Sequence, residues 1–100
     1  MANKRTGKAD IEAVSEVFKA LANETRLQIL MGLLEDECNV KGIMERLNLP
    51  QSTVSQHLSI MRNKGIIKGT RKGSTVCYRV VDEIVREILI LMKKKRFVID

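Results

Sequence analysis

Pro50-Gln51-Ser52-Thr53-Val54-Ser55-Gln56-His57-Leu58-Ser59-Ile60-Met61-Arg62-Asn63-Lys64-Gly65 reads as a helix with a single apolar line, entered from a turn at Pro50 and ended before Gly65. Val54, Leu58 and Met61 recur at i, i+4 and i+7, the helical period. With that line against a core, Ser52, Gln56, Ser59 and Asn63 point outward, with Thr53 and Ser55 on the flanks. These are short, neutral, hydrogen-bonding side chains, where a helix facing only water more often carries Glu and Lys. Gln can pair bidentately with adenine, and Ser or Thr can serve several bases or phosphates. His57 sits beside the apolar line and reads as a hydrogen-bonded structural residue. Gly65 lies where a C-cap glycine belongs.

Upstream, Val40, Ile43, Met44 and Leu47 form a short helical stripe opened by Asn39, and residues 48–50 make a turn. Before it, Leu27, Ile29, Leu30, Leu33 and Leu34 are apolar on more than one side, which makes this helix the centre of the core. Asn23 caps it, and Glu35, Asp36 and Glu37 end it. Ile11, Val14, Val17, Phe18 and Leu21 mark a first helix.

Downstream the period changes. Residues 67–70 and 75–81 are rich in β-branched side chains and read as strands, with Arg71-Lys72-Gly73-Ser74 as the turn. Alternation turns Val76, Tyr78 and Val80 inward and Thr75, Cys77 and Arg79 outward. Asp82 caps a last helix whose Ile84, Val85, Ile88, Leu89, Leu91 and Met92 cover a wide arc. The fold class is therefore mainly α with a small β-hairpin: a winged helix-turn-helix of five helices and a two-stranded wing. In that fold the second helix of the pair enters the major groove.

One hundred residues make one domain: a flexible basic tail at 1–9, the folded unit at 10–95, and a C-terminal tail at 96–100. The longest apolar run, residues 88–92, is far short of the roughly 20 a membrane span needs. No apolar run follows the basic N-terminus, so no signal peptide is expected and the protein is expected in the cytoplasm with its two cysteines reduced. One His and three aromatics furnish no visible nucleophile–base pair, and no paired carboxylates or phosphate-cradling loop appear. Enzymatic activity and a cofactor are not expected.

Net charge is +6, unevenly spread. Residues 9–61 carry −4, whereas 62–72 carry +5 with no acid. A basic segment in an acidic body is the footprint of a polyanion partner. Base reading is assigned to Ser52, Thr53, Ser55, Gln56 and Ser59. Backbone contacts are assigned to Lys41, Arg62, Lys64, Lys68, Arg71 and Lys72. A winged helix serving protein or RNA contacts is the competing class, but such modules usually lack a short polar reader helix beside a basic wing.

Three stretches resemble the ArsR/SmtB family of transcriptional repressors. They are Phe18-Lys19-Ala20-Leu21-Ala22-Asn23-Glu24-Thr25-Arg26-Leu27-Gln28-Ile29-Leu30, Gln51-Ser52-Thr53-Val54-Ser55-Gln56-His57-Leu58, and Gly73-Ser74-Thr75-Val76-Cys77-Tyr78-Arg79-Val80. The resemblance implies a homodimer built from the first and last helices, occupying an operator until an inducer releases it. It also implies what is missing. Where metal-sensing members carry Cys-Val-Cys, this chain has Asn39, Val40 and Lys41, and Gly42 replaces the following acid. Where others open the last helix with Asp-x-His, it has Asp82-Glu83-Ile84. No metal site is expected.

Apolar residues spread too widely over the two terminal helices for one monomer. Val14, Phe18, Ile84, Ile88, Leu91 and Met92 are assigned to the dimer interface. The possible sensing thiols are Cys38 and Cys77, in an alternative reading as a redox-, persulfide- or metalloid-responsive repressor. In a winged helix the short link at Cys38 commonly pairs with the second wing strand, which holds Cys77. Cys38 reads as turned inward and sluggish behind its acids, and Cys77 as turned outward and activated by Arg79. On opposite faces the two are not expected to bond without rearrangement.

Overall fold

The structure, a computed structural model, describes residues 7–95. The expectations for residues 1–6 and 96–100 lie outside them. Five helices and one hairpin follow in order: α1 (Lys8–Leu21), α2 (Glu24–Glu35), α3 (Val40–Leu47), α4 (Gln51–Asn63), β1 (Ile67–Lys72), β2 (Thr75–Val80) and α5 (Glu83–Lys95). Lys8 and Ala9, read as tail, belong to α1.

Local chemistry starts and stops these elements. The Asn23 side chain accepts from the Arg26 N–H at 3.0 Å, Asn39 from Gly42 at 3.2 Å, and Asp82 from Val85 at 3.0 Å. Each satisfies a backbone donor that a helix start would otherwise leave open. Pro50 stands just outside α4 in extended conformation rather than in its first turn. Gly65, at φ +73°, reverses the chain after α4, and the Ile66 N–H returns to the Met61 carbonyl at 2.9 Å.

The hairpin turn is tighter than the sequence suggests. Arg71 and Lys72 belong to β1, Lys72 pairs with Thr75, and only Gly73 and Ser74 connect the strands. A two-residue turn needs positive φ at its first position, and Gly73 adopts +65°.

The core is contiguous and α2 is its centre. Ile29, Leu30 and Leu33 are fully buried against Ile43 of α3, Val54 and Met61 of α4, Ile66 and Val80 at the hairpin base, and Val85 and Leu89 of α5. The Val54–Leu58–Met61 line is buried as its period requires. In α5 the same geometry separates two faces. Val85 and Leu89 are buried, and Met92 packs beside them onto the core. Ile84 and Leu91 stand 49% exposed on another side, with Ile88 at the border.

Cysteine chemistry departs from expectation. Cys38 and Cys77 form a disulfide across 39 residues, so neither is the reduced thiol expected. Their exposures are also reversed: Cys77 is buried and Cys38 is exposed. The cause is the turn between α2 and α3, closed by the Asn39 N–H on the Asp36 carbonyl at 3.3 Å. The Tyr78 N–H donates to the Glu37 carbonyl at 2.7 Å and holds this turn against β2. That bond lies next to the bridge and brings the Cys38 and Cys77 Cα atoms to 4.1 Å. Neither the outward turn expected for Cys77 nor the inward turn expected for Cys38 holds: the turn at 36–39 covers Cys77, while Val76 and Tyr78 are half-buried.

Candidate nucleic-acid interface

The buried line of α4 fixes what its other flanks meet. Thr53, His57, Ile60 and Lys64 follow one flank toward α1 and α2. There the Arg26 guanidinium reaches His57 Nδ1 at 3.4 Å, and Lys64 Nζ bonds Glu16 at 3.2 Å. Gln51 and Ser55 follow the opposite flank, into a cleft of about 380 Å³ bounded also by Cys38 and Lys41 and by Ser74 and Thr75 of the wing. Between these flanks Ser52 and Gln56 are exposed, and Ser59 is half-buried. The assigned base readers Ser52, Ser55, Gln56 and Ser59 thus share the outward side of one helix, with Thr53 at its shielded edge. Gln51 joins them; its signal was the same polar composition one residue earlier.

The assigned backbone contacts divide. Lys41 lies at the cleft, and Arg62, Lys68, Arg71 and Lys72 are exposed on α4 and the wing. Lys64 is drawn the other way. Glu16 holds it, and Lys64 and Lys19 together keep the Glu16 carboxyl below its ordinary range. On the wing the register sets Lys68 directly opposite Arg79, both exposed. Like charges in opposed positions repel, and a polyanion laid across them relieves the repulsion.

His57 is a structural residue. Arg26 clamps three elements: its Nε donates to the Ala20 carbonyl at the end of α1 at 2.6 Å, while its other arm meets His57. Since Arg only donates, His57 accepts at Nδ1 and is neutral. Burial first, and the Arg26 charge second, hold its pKa below the ordinary 6.5. A depressed folded value means the unfolded chain takes the proton more readily. The stability that neutral His57 supplies is then whole above about pH 6.5 and is lost as pH falls through the folded value. Urea midpoints measured from pH 7.5 to 5 should decline for the wild type and flatten for His57→Gln. Glu16 titrates in a separate, more acidic window, so parallel declines would disprove the assignment.

Metal-site positions carry other duties. Asn39 Oδ1 is committed to the Gly42 amide, Lys41 is an exposed cation, and Cys38 is bridged. This donor set does not fit a soft or borderline metal.

Residues 23–68 match the family model described as bacterial regulatory protein, arsR family. The solved transcriptional repressor PagR of Bacillus anthracis is 37% identical, with a TM-score of 0.75, over 86% of this chain and 99% of that one. The chain belongs to the ArsR family. A second solved structure, the homodimeric winged helix-turn-helix DNA-binding domain (fragment 1–100) Mb0332 from Mycobacterium bovis, is 32% identical with a TM-score of 0.75, covering 96% of this chain and 90% of that one. The regulator KmtR of Mycobacterium tuberculosis is 39% identical over 77 residues, 77% of this chain and 59% of that protein. The chain therefore spans little more than half of KmtR. ArsR-family proteins are DNA-binding transcriptional regulators rather than enzymes. Among the described residues no helix is long and apolar enough to cross a membrane.

Proposed function

We propose that the protein is a sequence-specific repressor that binds a two-fold symmetric operator as a homodimer in the cytoplasm. The observation that carries this reading is one continuous surface. The polar outward face of α4 adjoins a wing bearing Lys68, Arg71, Lys72 and Arg79, with no acid between 62 and 72. Ser52, Ser55, Gln56 and Ser59 read base edges, with Thr53 at the margin. Lys41, Arg62, Lys68, Arg71 and Lys72 meet phosphates, and Lys64 steadies α4 against α1 instead. Two recognition helices related by a two-fold axis would enter successive major grooves, about one helical turn apart or slightly more. The homodimeric state of Mb0332 and the repressor role of PagR support the same reading.

The dimer face rests on apolar residues left outside the core. Phe18, Ile84 and Leu91 are each 49% exposed and Ile11 is 58% exposed; Val14 and Ile88 border them. Met92, packed inward, is not part of it.

The test is a footprint on DNA upstream of the protein's own gene, followed by two classes of variant. Gln56→Ala should lose about 1–3 kcal/mol on the protected site and much less on random duplex. Arg71→Ala and Lys72→Ala should weaken both more evenly, each lowering the salt slope by about one. Unchanged site preference in Gln56→Ala would rule out this register for the recognition helix.

A further inference from the structure

Between Lys68 and Arg79, Cys77 is the one buried side chain of the wing. The hairpin tip carries the exposed Arg71 and Lys72, and beside Cys77 the half-buried Tyr78 packs against the core. Three links hold the hairpin's midpoint to the body: the Tyr78 side chain against the core, the Tyr78–Glu37 backbone bond and the Cys38–Cys77 bridge, of which the bridge is the covalent one. The bridge is reachable from one side. Cys38 is exposed and borders the cleft between α4 and the wing, whereas Cys77 is covered. From this asymmetry we infer that Cys38–Cys77 is a thiol–disulfide exchange site for small soluble thiols, whose opening at Cys38 loosens the wing and weakens DNA binding. The inference rests on the DNA-binding reading above and names its regulation.

The step balances as ordinary exchange. A small thiolate attacks the exposed Cys38 Sγ, and a mixed disulfide forms there as the Cys38–Cys77 bond breaks. The electron pair leaves on Cys77 Sγ, which takes a proton from solvent. Lys68 and Arg79 share the face of Cys77 and favour the departing thiolate. A second thiolate then attacks the outer sulfur of the adduct and leaves Cys38 as a thiol. In sum, two small thiols are oxidised to one disulfide and the protein bridge is reduced to two thiols. The intermediate adduct sits at the cleft beside Lys41 and Ser55, on the DNA-facing side. After reduction only non-covalent links remain at the wing midpoint, the Tyr78 side chain on the core and one backbone hydrogen bond. The wing must then be ordered on binding, which lowers affinity without removing any contact.

The experiment uses the full chain, oxidised, with reduced glutathione as the probe. Samples taken along a titration are alkylated, and peptide masses locate any glutathione adduct. The adduct should appear on Cys38. Cys77→Ala treated with oxidised glutathione should accumulate it, and Cys38→Ala should not. The same samples are titrated onto the footprinted duplex. Reduced wild type and the Cys38→Ala/Cys77→Ala double variant should bind about three- to tenfold more weakly than the oxidised protein. Circular dichroism checks that each remains folded, and reduced wild type supplies the comparison if the double variant does not. Adduct on Cys77 alone, or equal affinity of oxidised and reduced wild type, overturns the inference. Oxidised protein that binds no duplex overturns the DNA reading instead, and the masses still decide where exchange occurs.

Discussion

Replacing Leu91 with glutamate should leave the fold standing and abolish the dimer. Leu91 is 49% exposed, while Val85 and Leu89 hold α5 to the core from another side and are untouched. Burying a leucine contributes about 1.5–3 kcal/mol, and burying an unpaired carboxylate costs several more. A two-fold interface counts each change twice. The monomer then engages one half-site alone and forfeits the gain of linked binding, which is roughly 10²–10⁴. Operator affinity should therefore fall at least a hundredfold, whereas binding to short random duplex, dominated by phosphate contacts, falls much less. Sedimentation velocity checks the first half and operator titration the second. A Leu91→Glu protein that still sediments as a dimer would remove α5 from the interface.

Most of the fold was legible because its punctuation is local. Asn23, Asn39 and Asp82 cap helices through contacts three residues away, and Gly65 and Gly73 mark the two positive-φ positions that end α4 and turn the hairpin. The outward face of α4 follows from periodicity alone, since a buried line at Val54, Leu58 and Met61 fixes everything around it. What escaped depends on which distant segments become neighbours. Lys64 reads as one more free cation in a basic run until Glu16, 48 residues earlier, is found beside it. His57 looks like any histidine near a core line until Arg26 meets it from α2. The wing boundary slipped by two residues because Arg71 and Lys72 favour neither strand nor turn strongly, and the tightness of the Gly73 turn decides. In α5, Met92 follows Leu91 closely but lies about 100° around the helix, enough to move it from the exposed face to the core.

Opening the disulfide should lower stability by about 2–4 kcal/mol, a second effect separable from any change in DNA affinity. The bridge closes a loop of 39 residues, and the loss of chain entropy in the unfolded state scales with the logarithm of that length, giving close to 4 kcal/mol for the ideal case. Little offsets it in the folded state. Cys38 is exposed, so its removal leaves no cavity, and the Tyr78–Glu37 hydrogen bond keeps residues 36–38 beside β2. For a domain of this length each kcal/mol shifts Tm by about 4–8 °C, so reductant should lower the midpoint by roughly 10–25 °C. Runs must hold protomer concentration fixed, because dimer assembly also contributes to the apparent midpoint. The Cys38→Ser/Cys77→Ser protein should match reduced wild type and ignore reductant. A shift of under about 2 °C would mean that residues 36–38 and β2 already pair in the unfolded chain, so that the bridge removes little freedom when it closes.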